Sequence, residues 1–482
     1  MNISIKKLIE PSYESTCAIS HEIFEALSLS KDTMYELHLG NLSEIVFINP
    51  HESYDASIYL QASAYNRLIP FDDLLLNIWI DNKDIYLGPV IGVFETPRAI
   101  LRLLQNKDSF YETQHIKSSI LEGCLCYYFS NEDINFQEET VIGTTFSPAR
   151  SKWESFQFPL PDIIYDVGIF LSHQLKPIGK KIRSELRKFP NIKFINSKNG
   201  LGKWELYEKL SKYKNINHYL PETIIYTKKD DISLMLSKYN LVFLKSFHGS
   251  KGEEIISIEQ LDDGIKLNFY DPYEEKLKEL ILNNIDELEL IIDDFFRNES
   301  FIIQQGISLL KYEGCKFDLR ILLQKNEKGI WESSYILCRI AKEDINITNI
   351  SVGGVALIYE KAYPTLCTSN AINRIPDSTK LLDVAFKIAG YIEREFGFFG
   401  ELGLDLAIDT SGDIWILEAN AKSDKFISDD FCDLYGNKFV DSIIEIKQTN
   451  DPNYKIHCLN SELIYPQATY PFKYAKFLTK CK

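Results

Sequence analysis

No stretch of this chain approaches eighteen consecutive apolar residues, so no membrane-crossing helix is expected. The opening Met1-Asn-Ile-Ser-Ile-Lys-Lys is followed by no long apolar region, and no signal peptide is expected. Basic residues are in short supply. There are 53 Lys and Arg against 69 Asp and Glu, a formal charge of −16, with a pI near 5.1. That balance disfavours general binding to nucleic acid or to an anionic membrane, while leaving room for a local basic pocket. The nine cysteines form no Cys-x-x-Cys pair, and the two nearest, Cys124 and Cys126, would share one side of a strand. Free thiols in a reducing cytosol are the expectation. The eight histidines form no ligand cluster, and no repeat of roughly 20–50 residues is present.

What is present suffices for a large core: 482 residues, 45% hydrophobic and 13% aromatic, the length of two to four domains or subdomains. One stretch carries the chemistry, GELGLDLAIDTSGDIWILEANAKSDK from Gly400 to Lys425. Leu404–Ile408 is an apolar strand, Asp409-Thr-Ser-Gly412 a turn, and Asp413–Leu417 a second strand. Glu418 and Asn420, two apart, point to one face, and a short hairpin returns them beside Asp405. Three hard oxygen donors at one place suit Mg²⁺, which keeps room for phosphate oxygens. The alternative is a hairpin whose acids face water. The apolar residues Ile414 to Leu417 argue against it, because a carboxylate ending a buried strand is costly without a positive partner.

Upstream, residues 1–100 read as a β-rich domain, with strands such as Ser43–Ile48 and Leu74–Ile80. Residues 101–195 follow as an α/β unit that begins near the helical Pro97–Leu104 and includes a strand at Gly123–Phe129. It continues through FPLPDIIYD, a helix His173–Lys188 and a strand Ile192–Ile195. A third unit spans 196–308. Lys203 opens a helix, and Leu241–Lys245 is an apolar strand ending in a lysine. A glycine loop follows it at once, Ser246-Phe-His-Gly249-Ser250-Lys251-Gly252. Such a loop lets backbone N–H groups approach phosphate oxygens. Residues 262–300 read as polar and helical, and Phe301–Ile307 as a strand running into Gly306. The last unit, 309–482, opens with FDLR, in which Arg320 and Arg339 lie on two strands able to bring both to one sheet end. Arginine suits such places because its fork binds phosphate and carboxylate oxygens bidentately. The simpler reading is an ion pair of Asp318 with Arg320. Helix Ser378–Phe396 leads into the hairpin. The tail, read as helical at Leu434–Ile446 and continuing through Tyr465–Leu478, is expected to pack back on the same domain.

LDLAID..GDIWILEAN resembles the metal-binding hairpin of ATP-grasp ligases, such as D-alanine–D-alanine ligases and RimK-type glutamate ligases. The upstream strings LGPVIGVF, FPLPDIIYD and FDLR…CRIAK…TN…GG resemble the YheC/YheD-type, endospore coat-associated ATP-grasp proteins more closely still. Where an arginine commonly follows the last Asp of FPLPDIIYD in that family, this chain has Val167. It also has Ser246 after Lys245, where the family usually has proline. The resemblance implies an α+β ATP-grasp fold, two α+β subdomains sandwiching ATP, preceded by an α/β pre-ATP-grasp unit and the N-terminal β-rich domain. By the same resemblance Lys203, Lys245 and the loop residues Gly249, Ser250 and Gly252 bind ATP phosphates. Gln305, Gly306 and Ile307 read the adenine edge. Arg320 and Arg339 act on the acceptor carboxylate and the transferred phosphoryl group, with Asn349, Gly353 and Gly354 lining the substrate. Asp405, Glu418 and Asn420 hold Mg²⁺.

The implied activity is a cytoplasmic carboxylate ligase working through an acyl phosphate. It would join a small carboxylic acid to an amine or to a carrier-protein thiol and release ADP and phosphate. Two other classes share the residues: a small-molecule kinase, and a spore-coat structural protein whose site has decayed. Nucleic-acid and membrane partners are not expected; a homodimer and association with the spore are left open.

Overall fold

The computed structural model describes residues 2–8, 17–31, 33–52, 56–147, 150–168, 175–247, 255–271, 274, 276–296, 299–341, 355–370, 374–423 and 466–480. The chain divides into two compact units. One comprises Met1–Asn196, Gln324–Ile330 and Tyr435–Lys482, the other Ser197–Leu323 and Trp331–Leu434. Among the described residues no helix is long and apolar enough to cross a membrane.

The first unit begins with a closed seven-stranded barrel. Its strand order is Asn2–Lys7, Ser57–Leu60, Cys17–Ser20, Leu42–His51, Met34–Leu39, Asp84–Gly88 and Leu75–Asp81. Alternation fills it. Tyr35, Leu37 and Leu39 point inward with Val46 and Ile48, while Met34 and Glu36 face out. Closure leaves no sheet edge to protect. The barrel ends at Gly88, before residue 100, because Val90–Phe94 leaves it and joins the next sheet. There Leu125–Phe129, Val90–Phe94, Ile163–Asp166 and Lys193–Phe194 run parallel, and the first two are buried along their whole length. Buried runs of this kind are what helices on a parallel sheet produce. Helix Pro97–Leu104 starts where Thr96 accepts from the Ala99 N–H and proline takes the first helical position. No arginine follows Asp166, yet its carboxylate is met from helix Leu175–Leu186 by Arg183, through Nε at 2.6 Å and Nη2 at 2.9 Å.

Two expectations about the chain's end need correction. Helix Pro466–Lys480 belongs to this first unit, where it packs on helix Phe110–Leu121 and Lys476 pairs with Glu122 at 2.9 Å. The hairpin tip Gln324–Ile330 belongs there too, held by the Gln324 amide donating to the Gln467 carbonyl at 3.0 Å. Residues 309–482 are therefore not one body. The helix expected at Leu434–Ile446 lies outside the described residues.

The second unit holds two six-stranded sheets. The smaller subdomain has the order Thr223–Ile225, Phe301–Gln305, Leu241–Ser246, Ile255–Leu261, Gly264–Asp271 and Lys276–Leu282, antiparallel throughout. Helices Lys229–Lys238 and Leu288–Phe296 contribute to its core. Gly264–Asp271 and Lys276–Leu282 were expected to be helical. They are strands, paired so that Lys266 meets Glu279 at 2.7 Å and Lys278 meets Asp271 at 2.5 Å.

The larger subdomain orders Val355–Ile358, Trp331–Ile340, Cys315–Lys325, Glu401–Ile408 and Ile414–Asn420, with Lys311–Tyr312 pairing beside Cys315. One face packs on helix Ser378–Phe396. There Leu404, Leu406, Ile408, Ile414 and Ile416 meet Leu381, Val384, Ala385, Ile388 and Ile392. Asp377 caps that helix by accepting from the Lys380 N–H at 2.8 Å, and Gly397 ends it at φ +92°.

Candidate active site

The site grows from the hairpin's register. Ile408 faces Ile414, Ala407 faces Trp415 and Leu406 faces Ile416; the register then shifts, so that Asp405 faces Glu418 and Gly403 faces Asn420. Without the shift Asp405 would face Leu417. A bulge that sets two residues against one thus brings the two carboxylates opposite each other. It also keeps Leu404 and Ala419 in the core, leaving Glu418 and Asn420 on the opposite face. The turn is fixed by Asp409, whose Oδ1 accepts from the Ser411 and Asp413 N–H groups while Oδ2 accepts from the Trp415 indole.

Both predicted arginines converge on Asp405. Arg320 on Cys315–Lys325 gives Nε to Oδ1 and Nη2 to Oδ2, the latter at 3.0 Å. Arg339 on the neighbouring strand reaches Oδ2 at 3.2 Å and forks onto Asp318 at 2.6 and 2.8 Å. Asp318 and Asp405 are both buried. Burial alone would raise the Asp405 carboxyl, but the charges and hydrogen bonds of Arg339 and Arg320 outweigh it and hold the group below the usual carboxylate range. Burial works to lower the Arg339 pKa, and Asp405 and Asp318 together overcome it and push the guanidinium well up. The simpler alternative, an ion pair of Asp318 with Arg320, is not what forms: Asp318 pairs with Arg339.

Three contributors were not read as site residues. Asp318 is one, read only as a simple ion-pair partner of Arg320. Ser423 is another; its hydroxyl accepts from Arg320 Nη1 at 3.2 Å. Gly403 is the third, for a Cβ there would lie 2.4 Å from Ser423 Oγ and 3.6 Å from Arg320 Cδ. Its position two residues before Asp405, on the same strand face, was the available signal.

The lysines lie at the same end. Lys203 opens helix Lys203–Leu210 and comes within 3.6 Å of Glu418. Lys245 donates to Gln304 Oε1 at 2.6 Å. Lys203, Lys245, Gln304 and Glu418 line one narrow cleft with Leu201 and Leu417. Burial pushes the Lys245 ammonium down to about 8, with Glu418 working in the opposite direction.

Of the predicted adenine-reading residues, Gln305 and Gly306 already spend their N–H groups inside the sheet, on the carbonyls of Glu222 and Leu241, each at 2.8 Å. Gly306 is required by packing as well, since a Cβ would meet Leu241 Cγ at 2.4 Å. Ile307 is buried. Gly249, Ser250, Gly252, Asn349, Gly353 and Gly354 lie outside the described residues.

The sequence model of one family, described as YheC/D like ATP-grasp, matches residues 191–478, more than half of the chain. The chain belongs to the YheC/D-like ATP-grasp family. Two curated relatives come from Bacillus subtilis (strain 168). Endospore coat-associated protein YheD is 23% identical over 415 residues, covering 84% of this chain and 88% of the relative. Endospore coat-associated protein YheC is 24% identical over 323 residues, covering 67% and 87%. Among solved structures, the ATP-grasp ligase PsnB with a minimal precursor overlaps at a TM-score of 0.41 and 11% identity, over 74% of this chain and 99% of that one. D-alanyl-alanine synthetase A of Vibrio cholerae overlaps at 0.40 and 10%, over 77% and 98%. Likenesses that distant carry no argument about residues. The fold is the α+β ATP-grasp fold of the family.

This ATP-grasp chain offers a divalent cation two carboxylates and an amide, the hard oxygen set Mg²⁺ takes. The bulged register brings Asp405 and Glu418 together with Asn420 on one face, so the donors fit. Each carboxylate already has an internal cation, Arg320 and Arg339 at Asp405 and Lys203 at Glu418. In the separate barrel, Glu36, His38 and Asp84 bring three ligand atoms within 4.8 Å of one another, which exposed acidic groups commonly do without a metal.

Proposed function

We propose that this ATP-grasp protein is an ATP-dependent carboxylate ligase that forms an acyl phosphate and passes the acyl group to an amine or a carrier-protein thiol. The observation that carries the reading is the pair of opposed carboxylates, Asp405 and Glu418, set beside two buried arginines and two lysines in one unit. Lys203 and Lys245 would bind ATP phosphates from the cleft they line. Asp405, Glu418 and Asn420 would hold Mg²⁺, which when bound neutralises phosphate charge. Arg339, fixed by Asp318, would orient the acceptor carboxylate, and Arg320 would meet the phosphoryl oxygens as they gain charge. A carboxylate oxygen forms a bond to the γ-phosphorus, and the bond to the β–γ bridging oxygen breaks with its electron pair leaving on ADP. The amine or thiol then bonds to the acyl carbon, loses its proton, and phosphate departs with the C–O electron pair. Both curated relatives bear the name endospore coat-associated protein, and we carry the spore to this chain as the setting of the reaction.

The test is product analysis with a library of small carboxylic acids, ATP, Mg²⁺ and hydroxylamine as the acceptor. ADP, free phosphate and a hydroxamate are expected in equal amounts. ADP without hydroxamate or free phosphate would indicate a kinase. AMP as the stoichiometric product would sink the mechanism, since adenylation needs attack at the α-phosphate. A decayed site predicts no nucleotide turnover with any acid.

Lys245 gives this reading a pH signature. With its free-state pKa lowered to about 8, the ammonium is charged below that pH and neutral above it. Attraction for phosphate is therefore present below about pH 8 and lost as pH rises through that value. The lowered pKa also means that fold stability contributed by this group rises between about pH 8 and its unfolded value near 10.4. ATP affinity measured by calorimetry is expected to fall about tenfold between about pH 7 and about pH 9.5, and Lys245→Arg, charged throughout, should flatten that fall. An equal fall in the arginine variant would remove Lys245 from the phosphate site.

A further inference from the structure

We propose that Arg320 is the exchangeable cation of this site: it occupies the Asp405 carboxylate while no metal is bound and gives it up when a divalent cation binds, turning to an oxyanion instead. The proposal rests on the reading of the hairpin as the metal site.

Three guanidinium N–H groups take the two oxygens of Asp405: Nε and Nη2 from Arg320, and Nη2 from Arg339. A divalent cation needs the same lone pairs and is repelled by the same positive charges, in a place where Asp405 is 6% exposed and water screens little. Metal and guanidinium are therefore competitors for one carboxylate.

The two arginines are unequal in that contest. Arg339 has a second anion, Asp318, which takes its Nε and Nη2 at 2.6 and 2.8 Å. Losing Asp405 leaves Arg339 ion-paired. Among the described residues the other partner of Arg320 is the neutral Ser423 hydroxyl at 3.2 Å. Losing Asp405 leaves Arg320 charged, mostly buried and held by a hydroxyl. That is a costly state unless an anion enters. Gly403 keeps the space next to Arg320 Cδ and Ser423 free of a side chain. In charge terms the two arginines balance the two aspartates, so a divalent cation adds two positive charges that phosphate or carboxylate oxygens must match. Metal and oxyanion then bind with positive coupling, and the coupling is reciprocal.

The test is Mn²⁺ binding followed by electron paramagnetic resonance of the free ion, on the full chain, without nucleotide and then with a non-hydrolysable ATP analogue. Arg320→Met removes the competitor while Arg339 still pairs with Asp405. It is expected to tighten Mn²⁺ alone by about tenfold and to reduce the further gain that the analogue gives in wild type. Arg320→Lys, with a single-point grip on Asp405, should fall between the two and serves if the methionine variant does not fold. Mn²⁺ that binds wild type through Glu418, judged by its loss in Glu418→Gln, with no tightening in either Arg320 variant, overturns the exchange and leaves the functional reading standing. Mn²⁺ that never depends on Glu418, with or without the analogue, overturns both.

Discussion

Glu418→Gln is expected to lower Mg²⁺-dependent ATP turnover by more than about 100-fold, about 2.7 kcal/mol of transition-state stabilisation, while the protein melts as the wild type does. The two halves of that expectation come from different faces of one strand. The core face, Ile414, Ile416 and Ala419, is untouched by a change at Glu418. The contact the side chain makes in the free protein, to Lys203 at 3.6 Å, involves a carboxylate about one-third exposed, so its loss costs roughly 0–1 kcal/mol. Function depends instead on the bulge that sets Glu418 across from Asp405. An amide keeps the shape but cannot neutralise a divalent cation. Turnover within about tenfold of wild type, assayed with the acid found in the hydroxamate screen, would remove Glu418 from the metal site.

The sequence made the hairpin legible because its signals are local. Alternating apolar residues, a turn with Gly412 at φ +87°, and two polar residues spaced by two all lie within a few positions of one another. Helices Pro97–Leu104 and Ser378–Phe396 were readable with the same bounds, the first from its capping threonine and proline, the second from a long 3.6-residue apolar period. What was not legible depends on partners far along the chain. Lys276–Leu282, KLKELIL, is rich in helix formers and becomes a strand because Gly264–Asp271 offers it a ladder and matching charges. Helices Phe110–Leu121 and Tyr359–Ser369 went unread: the first buries Gln114, His115 and Lys117, and the second carries Pro364 inside it, both of which blur an apolar stripe. Within the site, the residue types of Arg320, Arg339 and Asp405 were readable, but not their pairing. The bond from Arg320 to Asp405 spans 85 positions, and the choice of Asp318 for Arg339 follows from the packing of neighbouring strands. The bulge has no local signature at Leu417, and it decides which residue Asp405 faces.

Arg339→Met is expected to destabilise the fold by about 3–5 kcal/mol, the cost of taking the guanidinium away from a buried carboxylate. Asp318 is 6% exposed and takes both of its Arg339 contacts bidentately, so the variant removes two charge-assisted bonds from a buried anion. Arg320→Met should cost clearly less, because Asp405 keeps Arg339 at 3.2 Å. The order of the two effects follows from the asymmetry of the cluster and would be reversed if Arg320 were the structural arginine. Replacing both members of the pair, Arg339→Met with Asp318→Leu, removes the buried charge and should recover most of the loss, because an apolar pair of similar volume in place of a buried ion pair is often neutral. Urea unfolding of the three variants against wild type reads all of this. A cost below about 1 kcal/mol for Arg339→Met would mean that Asp318 finds water or another cation, and that the aspartate does not fix Arg339 for its role at the acceptor carboxylate.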